Sequence, residues 1–170
     1  LFVSDLKAKN ELFKYNKNFK SNVFITGNPS WDKIKKIKLT KDYNILNNIK
    51  FDKSKKNILF ISEVISEEKD IINYDFDEFQ VLMNILDKFS LTHNIIIKKH
   101  PREKKNKYNN IIRSLKNKNK NITILNNNID LFKILFCCDI IIGMTSILLV
   151  ELKLLGLNPI SYQPTKNKKP

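Results

Sequence analysis

Short, unbroken apolar runs alternate along this chain with segments that repeat at helical spacing, and that alternation constrains the fold more than any other feature. Asn57-Ile58-Leu59-Phe60-Ile61-Ser62 is apolar at consecutive positions, the pattern of a strand buried on both faces. Beyond a polar stretch from Glu63 to Tyr74, Asp75 and Glu78 come close to a capping box, and Phe76, Phe79, Leu82, Ile85, Leu86 and Phe89 fall on one helical face. Asn94-Ile95-Ile96-Ile97-Lys98 is a second strand, closed by Pro101, which drives His100 toward extended backbone; His93 reads as a turn residue. Tyr108, Ile111, Ile112 and Leu115 give a surface helix inside the Lys/Asn-rich stretch from Lys104 to Asn121. Ile122 to Leu125 is a third strand, and Asn128 is placed to cap a helix from Ile129 to Phe136. Asp139 to Ile142 is a fourth; Thr145 or Ser146 caps a helix from Ile147 to Leu155, with Gly156 at its C′ position. Pro159 to Tyr162 is a fifth.

The fold class this order predicts is α/β: a doubly wound, Rossmann-like parallel sheet of about five strands with helices on both faces. The first residues follow the rhythm less cleanly. Leu1 to Ser4 reads as a strand end, Asp5 to Lys14 as a short helix, Val23 to Thr26 as a strand, Asn28-Pro29-Ser30 as a turn and Lys33 to Lys56 as polar connectors. The expected organisation is 1–27 as the end of a preceding domain and crossover, 28–56 as linker and entry segment, 57–164 as the Rossmann-like domain, and 165–170 as a polar tail.

Charge narrows the partners less than its size suggests. The 170 residues carry a formal charge of +14, from 31 basic against 17 acidic side chains. Arg102 and Arg113 are the only arginines, so nearly all of it is lysine, a point charge and not a bidentate fork for phosphate or guanine. Lys, Asn and Ile are enriched together, and their codons are all rich in A and T, so genome composition accounts for much of the basicity. An anionic membrane surface stays open as a partner; nucleic acid is disfavoured. Cys137 and Cys138 are adjacent in an apolar run, the pattern of inert buried thiols in a reducing compartment, and a metal would want ligands at spacings absent here. The run from Ile134 to Val150 is broken by Asp139 and Gly143-Met144-Thr145-Ser146 and falls short of the about 20 apolar residues of a spanning helix. The chain starts at Leu1 with no secretory signal, so it reads as an excised fragment or an incomplete reading frame, cytoplasmic or peripheral to the inner face of the plasma membrane. Asn121-Ile122-Thr123 is then a glycosylation triplet without meaning.

In an open parallel sheet, ligands bind beyond the carboxyl ends of the strands at a topological switch point. The residues there are Ser62 and Glu63, His100, Asn126 to Asn128, Gly143 to Ser146, and Gln163 with Pro164. Gly143-Met144-Thr145-Ser146 opening a helix offers free backbone N–H groups and a dipole to an anion, or merely caps the helix. No Gly-Lys-Ser/Thr tail follows and no three-glycine pattern precedes, which turns the reading away from ATP hydrolysis and NAD chemistry. His100, among Lys98, Lys99 and Arg102, should resist a second positive charge and can donate one hydrogen bond to a phosphate as neutral imidazole. Glu151, five residues after Ser146, can accept ribose hydroxyls or face solvent beside Lys153.

Taken in order, these residues resemble a known group. Val23-Phe24-Ile25-Thr26-Gly27-Asn28-Pro29-Ser30-Trp31-Asp32 is similar to the segment entering the C-terminal half of GT-B glycosyltransferases and hydrolysing UDP-N-acetylglucosamine 2-epimerases. Lys98-Lys99-His100-Pro101 resembles the His-Pro motif of bacterial sialyltransferases, polysialyltransferases, Kdo transferases and CDP-glycerol glycerophosphotransferases. Thr145-Ser146-Ile147-Leu148, then Leu154-Leu155-Gly156 and Pro159-Ile160-Ser161-Tyr162, is similar to their double-hydroxyl motif and following strand. The resemblance spans Val23 to Pro164. It implies one half of a GT-B fold, the donor-nucleotide domain of a glycosyltransferase of surface polysaccharide (capsule, lipooligosaccharide or teichoic-type), working by inverting transfer. It implies His100 as the catalytic contact to the donor phosphate, Ser62, Glu63, Lys98, Gly143, Thr145 and Ser146 around the nucleotide and its phosphates, and Glu151 on the ribose. Ser62 and Glu63 would face the interdomain cleft. No metal or cofactor is implied beyond a CMP- or UDP-linked sugar donor, and an N-terminal domain would bring the acceptor and the general base. Two alternatives stand beside it. A 2-epimerase would want paired glutamates in the last helix, where Glu151 stands alone, and commonly an Asp where Gly143 stands. A non-enzymatic lysine-rich module would bind an anionic membrane or nucleic acid.

Overall fold

The structure, a computed structural model, describes residues 1–19, 21–37, 51–68, 74–116, 121–125 and 129–164. Its contacts divide the chain into two compact units, Leu1–Lys38 and Leu39–Pro170.

In the first unit, β1 (Phe2–Val3) pairs in parallel with β2 (Phe24–Ile25), with Phe2 opposite Phe24 and Val3 opposite Ile25. Helix α1 (Leu6–Tyr15) begins where the Asp5 carboxylate accepts the Ala8 N–H at 2.7 Å. Asn28-Pro29-Ser30, expected as a turn, instead starts helix α2 (Pro29–Lys35): the Asn28 side-chain oxygen accepts the Ser30 N–H at 3.0 Å and Pro29 takes the first helical position, where its missing N–H costs nothing.

The second unit holds β3 (Lys56–Ile61), a 3₁₀ turn (Ile65–Glu67), α3 (Glu78–Phe89), β4 (His93–Lys98), α4 (Asn109–Lys116) and β5 (Ile122–Ile124). It continues with α5 (Leu131–Ile134), a second 3₁₀ turn (Leu135–Cys137), β6 (Ile140–Gly143), α6 (Ile147–Leu154) and β7 (Ile160–Ser161). The five strands β3 to β7 form one sheet in the order β5-β4-β3-β6-β7, all parallel, as the alternation of the sequence predicts. Several element starts shift by a residue or two. Asp77 and not Asp75 caps α3, accepting the Gln80 N–H at 2.9 Å. Asp130 caps α5, while Asn126 to Asn128 lie outside the described residues. His93 is the first residue of β4 and not a turn.

Both faces of the central strands are dry because successive residues of each serve opposite sides. Ile58, Phe60, Ile95, Ile97 and Ile142 pack with Val81, Leu82, Ile85 and Leu86 of α3 and Leu115 of α4. Leu59, Ile61, Ile96 and Ile141 pack with Leu131, Ile134 and Leu135 and with Leu149 and Leu152 of α6. Full burial of side chains of this size stabilises by about 1.5–3 kcal/mol each. At the amino ends of the strands the buried Asn94 amide donates to the Asp52 carbonyl (2.9 Å) and the Asn57 side-chain oxygen (2.7 Å), which leaves the opposite, carboxyl end as the polar mouth.

Chain direction across the sheet reverses between β3 and β6: β4 and β5 are added on one side of β3, β6 and β7 on the other. The switch point therefore lies between the segments that follow β3 and β6, which are Glu63 and Met144 to Ser146.

Candidate functional site

At that switch point α6 begins, and both readings of Gly143-Met144-Thr145-Ser146, cap and anion site, meet its N-terminus. Ser146 is the N-cap of α6, its hydroxyl oxygen accepting the Leu148 N–H at 3.2 Å. The three preceding donors converge on a single oxygen: Glu63 Oε1 accepts the N–H groups of Met144 (3.1 Å), Thr145 (2.7 Å) and Ser146 (2.9 Å). The Thr145 hydroxyl donates to Glu63 Oε2 at 2.5 Å. Three backbone donors, one hydroxyl and a helix dipole thus hold an anion, and the anion is the chain's own carboxylate.

Gly143 contributes by what it lacks. A Cβ on it would stand 2.9 Å from Leu149 Cδ2, so glycine lets α6 lie close over the end of β6. The far end of α6 closes with a Schellman arrangement, as Gly156 predicts. The Leu157 N–H donates to the Leu152 carbonyl (3.1 Å), the Gly156 N–H to Lys153 (3.0 Å), and Gly156 has a φ of +81°.

A cavity of about 240 Å³ opens beside the helix terminus and brings His100 and Arg102 together with Glu63, Glu68, Thr145, Ser146 and Ile147. His100 and Thr145, 45 positions apart in sequence, share one wall because β3, β4 and β6 end side by side. The Arg102 N–H donates to His100 Nδ1 at 3.2 Å, so the proton of the neutral ring sits on Nε2. The Arg102 guanidinium pairs with Glu68 at 2.6 Å on the exposed rim. A second hollow of about 390 Å³, on the other side of Thr145 and Ser146, is lined by Lys153, Ser161 and Gln163 among others. The Gln163 amide nitrogen donates to the Met144 carbonyl at 3.2 Å, and its buried oxygen has no partner among the described residues.

The remaining sequence candidates sit differently. Ser62 is buried and its hydroxyl turns inward to the Glu103 carboxylate, at 2.6 Å, and to the Tyr108 hydroxyl, so only Glu63 of that pair lines the cavity. Lys98 folds its ammonium back onto the Lys99 carbonyl at 3.0 Å. Burial holds its pKa below the ordinary lysine value, with Glu103 opposing that fall and Lys99 adding to it. Glu151 is half-buried in α6 and lines neither of these two cavities. Burial, with Cys137 and Asp139 nearby, pushes the Cys138 thiol up to about 12. Among the described residues no group of three His, Cys, Asp or Glu could hold a metal ion, and no helix is long and apolar enough to cross a membrane.

A buried ionic cluster that the apolar periodicity does not announce adjoins the segments that line the cavity. The Lys107 ammonium, only 4% exposed, pairs with Glu78, with Glu103 at 2.8 Å and with Glu67 at 3.2 Å. It stands 5.3 Å from the Phe79 ring centroid. Burial works against its charge, but the hydrogen bonds to Glu103 and Glu78, and their charges, outweigh that and raise its pKa. Two signals were available: Glu103 and Lys107 stand four apart, and His100-Pro101-Arg102-Glu103 has the spacing of a capping box with proline at its first helical position.

Comparison with known proteins bears on the fold and the family. No curated protein matches the chain. The fold is similar to that in the crystal structure of Methanocaldococcus jannaschii UDP-GlcNAc 2-epimerase in complex with UDP-GlcNAc and UDP. The TM-score is 0.58 at 22% identity, over 95% of this chain and 44% of that one, so this chain spans less than half of that protein's length. At that identity the likeness establishes the fold: a Rossmann-like α/β half of GT-B type. The sequence profile described as Alpha-2,8-polysialyltransferase (POLYST) matches residues 4–159, almost the whole length, and by that match the chain belongs to the alpha-2,8-polysialyltransferase family.

Proposed function

We propose that this chain is the donor-nucleotide-binding half of a glycosyltransferase that extends a surface polysaccharide by inverting transfer from a CMP- or UDP-linked sugar. The observation that carries the reading is the convergence of His100 with the Met144, Thr145 and Ser146 N–H groups around one cavity at the switch point of the sheet. Donors preset around an anion are what a departing nucleotide phosphate needs. As the glycosidic bond breaks, negative charge grows on the phosphate oxygens, and fixed N–H groups stabilise it without reorganising. His100 would donate from Nε2, Thr145 and Ser146 from backbone and hydroxyl, and Glu63 would give up its place at the helix terminus to the phosphate. Glu151 remains available to a ribose on the outer side of α6. A further domain would supply the acceptor and the base that deprotonates it. Association with an anionic membrane through the lysine-rich surface, on the cytoplasmic side, is compatible with a polymer-building role.

Calorimetric titration with CMP, CDP, UDP and ADP tests this reading. It predicts saturable binding of a pyrimidine nucleotide in preference to ADP. Equal binding of all four, or binding only to polyanions such as nucleic acid with steep salt dependence, would favour the lysine-rich module instead.

A further inference from the structure

His100 stands in the turn after β4, and one buried carboxylate is bonded to the backbone of that turn. Glu103 Oε2 accepts the His100 backbone N–H at 2.7 Å, and the Glu103 N–H returns a hydrogen bond to the His100 carbonyl at 3.1 Å. With the Arg102 N–H on His100 Nδ1, this is a one-turn capping box whose N-cap side chain is an imidazole. The other carboxylate oxygen, Oε1, accepts from the Ser62 hydroxyl (2.6 Å), the Lys107 ammonium (2.8 Å) and the Tyr108 hydroxyl (3.0 Å). The Glu103 side chain is 0% exposed. One residue thereby joins the turn after β4, the end of β3 next to Glu63, and the segment entering α4.

We propose that Glu103 is a positioning residue for His100: its buried carboxylate fixes the turn that presents the imidazole Nε2–H to the donor phosphate. The proposal rests on the donor-binding reading for its purpose, but the geometry of the turn is testable apart from it. The carboxylate meets one N–H on its Oε2 edge and, on its Oε1 edge, an ammonium and two hydroxyls that also touch each other. Glu103→Gln keeps the shape, and the Ser62 and Tyr108 hydroxyls can turn to accept, but its NH₂ must face either the His100 N–H or the Lys107 ammonium, neither of which can accept, so it cannot satisfy the turn and the cluster together. Tyr108→Phe removes a partner from the Oε1 edge alone and leaves the bond to His100 in place.

The experiment is imidazole and amide NMR on the whole chain, at a pH above the ordinary histidine range. In the wild type His100 shows the Nε2–H tautomer alone, and its amide exchanges as slowly as those of β4 although the turn is exposed. In Glu103→Gln the ring becomes a mixture of tautomers, the His100 amide loses its protection, and CMP binds about tenfold more weakly. Tyr108→Phe lowers the melting temperature while the ring keeps its single tautomer. A Glu103→Gln protein that retains one tautomer, or a Tyr108→Phe protein that scrambles the ring to the same degree, overturns the proposal. Should Glu103→Gln fail to fold, the wild-type exchange rate decides, since a His100 amide exchanging as fast as an open loop refutes the anchoring. A wild type that ignores CMP but holds its single tautomer contradicts the donor reading and leaves the positioning by Glu103 standing.

Discussion

Glu63 is an anion seated where a helix terminus and three convergent N–H groups call for one, and its position gives the site a specific competition. Phosphate and carboxylate want the same donors, so the resident side chain sets a threshold that an incoming phosphate must exceed. Replacing it tests this directly. Glu63→Ala should cost about 2 kcal/mol of folding stability, the scale of hydrogen bonds to a charged group. It should also bind inorganic phosphate about tenfold more tightly than wild type in calorimetry. Unchanged or weaker phosphate affinity would mean that the carboxylate helps to build the site and does not compete for it. At this scale the sequence was legible where a residue type has few alternatives. A Gly-x-Thr-Ser opening to a helix reads as a helix cap or an anion site in one dimension, and His100 at a strand end beside proline reads as a residue beyond the sheet's carboxyl edge. That Glu63 would reach across to that terminus was not readable. The contact joins segments 81 to 83 residues apart and depends on β3 and β6 being neighbours, which periodicity does not specify.

Among the elements, the buried cluster under the cavity governs how the second unit responds to alkali. Lys107 has its pKa raised above 10.5, because its bonds to Glu103 and Glu78 outweigh the burial that opposes them. Tyr108 is raised above 10.0, chiefly by burial, with the Ser62 hydrogen bond opposing and the Glu103 charge adding to it. The Cys138 thiol moves from 9.0 to about 12. A group whose folded pKa is raised contributes its full stabilisation below the unfolded value and loses it as pH climbs toward the folded one. All three therefore act in one direction: thermal stability should hold up to about pH 9 and fall progressively above it. A melting temperature that rises between pH 9 and 11 would contradict these environments. Lys107→Met, which strands Glu78 and Glu103 without their cation, should lose about 3–5 kcal/mol at neutral pH in denaturant unfolding. The strands and helices themselves were largely evident from periodicity, since dry strands such as Ile58 to Ile61 and Ile95 to Ile97 leave continuous apolar runs. Element ends were less so. Asp75 and Asp77 offer the same chemistry two positions apart, and only the packed position of Phe76 separates them. Asn28-Pro29 serves a turn or a helix start equally well until the residues after it are seen to be helical.

For the molecule as a whole, the contact division at residue 38 places the five-stranded sheet in a compact unit of its own. All five of its strands, both apolar layers and every candidate site residue lie after Leu39. A chain beginning at Leu39 should therefore keep a cooperative thermal transition, and its loss would show that the first unit is needed for the sheet to fold. The net charge of +14 spreads a positive field over the molecule, and a field of that size draws nucleotides to the surface non-specifically. The central claim, that a donor phosphate binds between His100 and the start of α6, must be separated from that background. The most direct measurement is calorimetric titration of CMP into the wild type and into His100→Ala at low and at high salt. The account predicts saturable binding to the wild type that survives the rise in salt and weakens about tenfold in His100→Ala, the loss of one charge-assisted hydrogen bond. Binding that is equal in the two proteins and vanishes with salt would contradict it, and would assign the affinity to the lysine-rich surface instead of the cavity at the switch point.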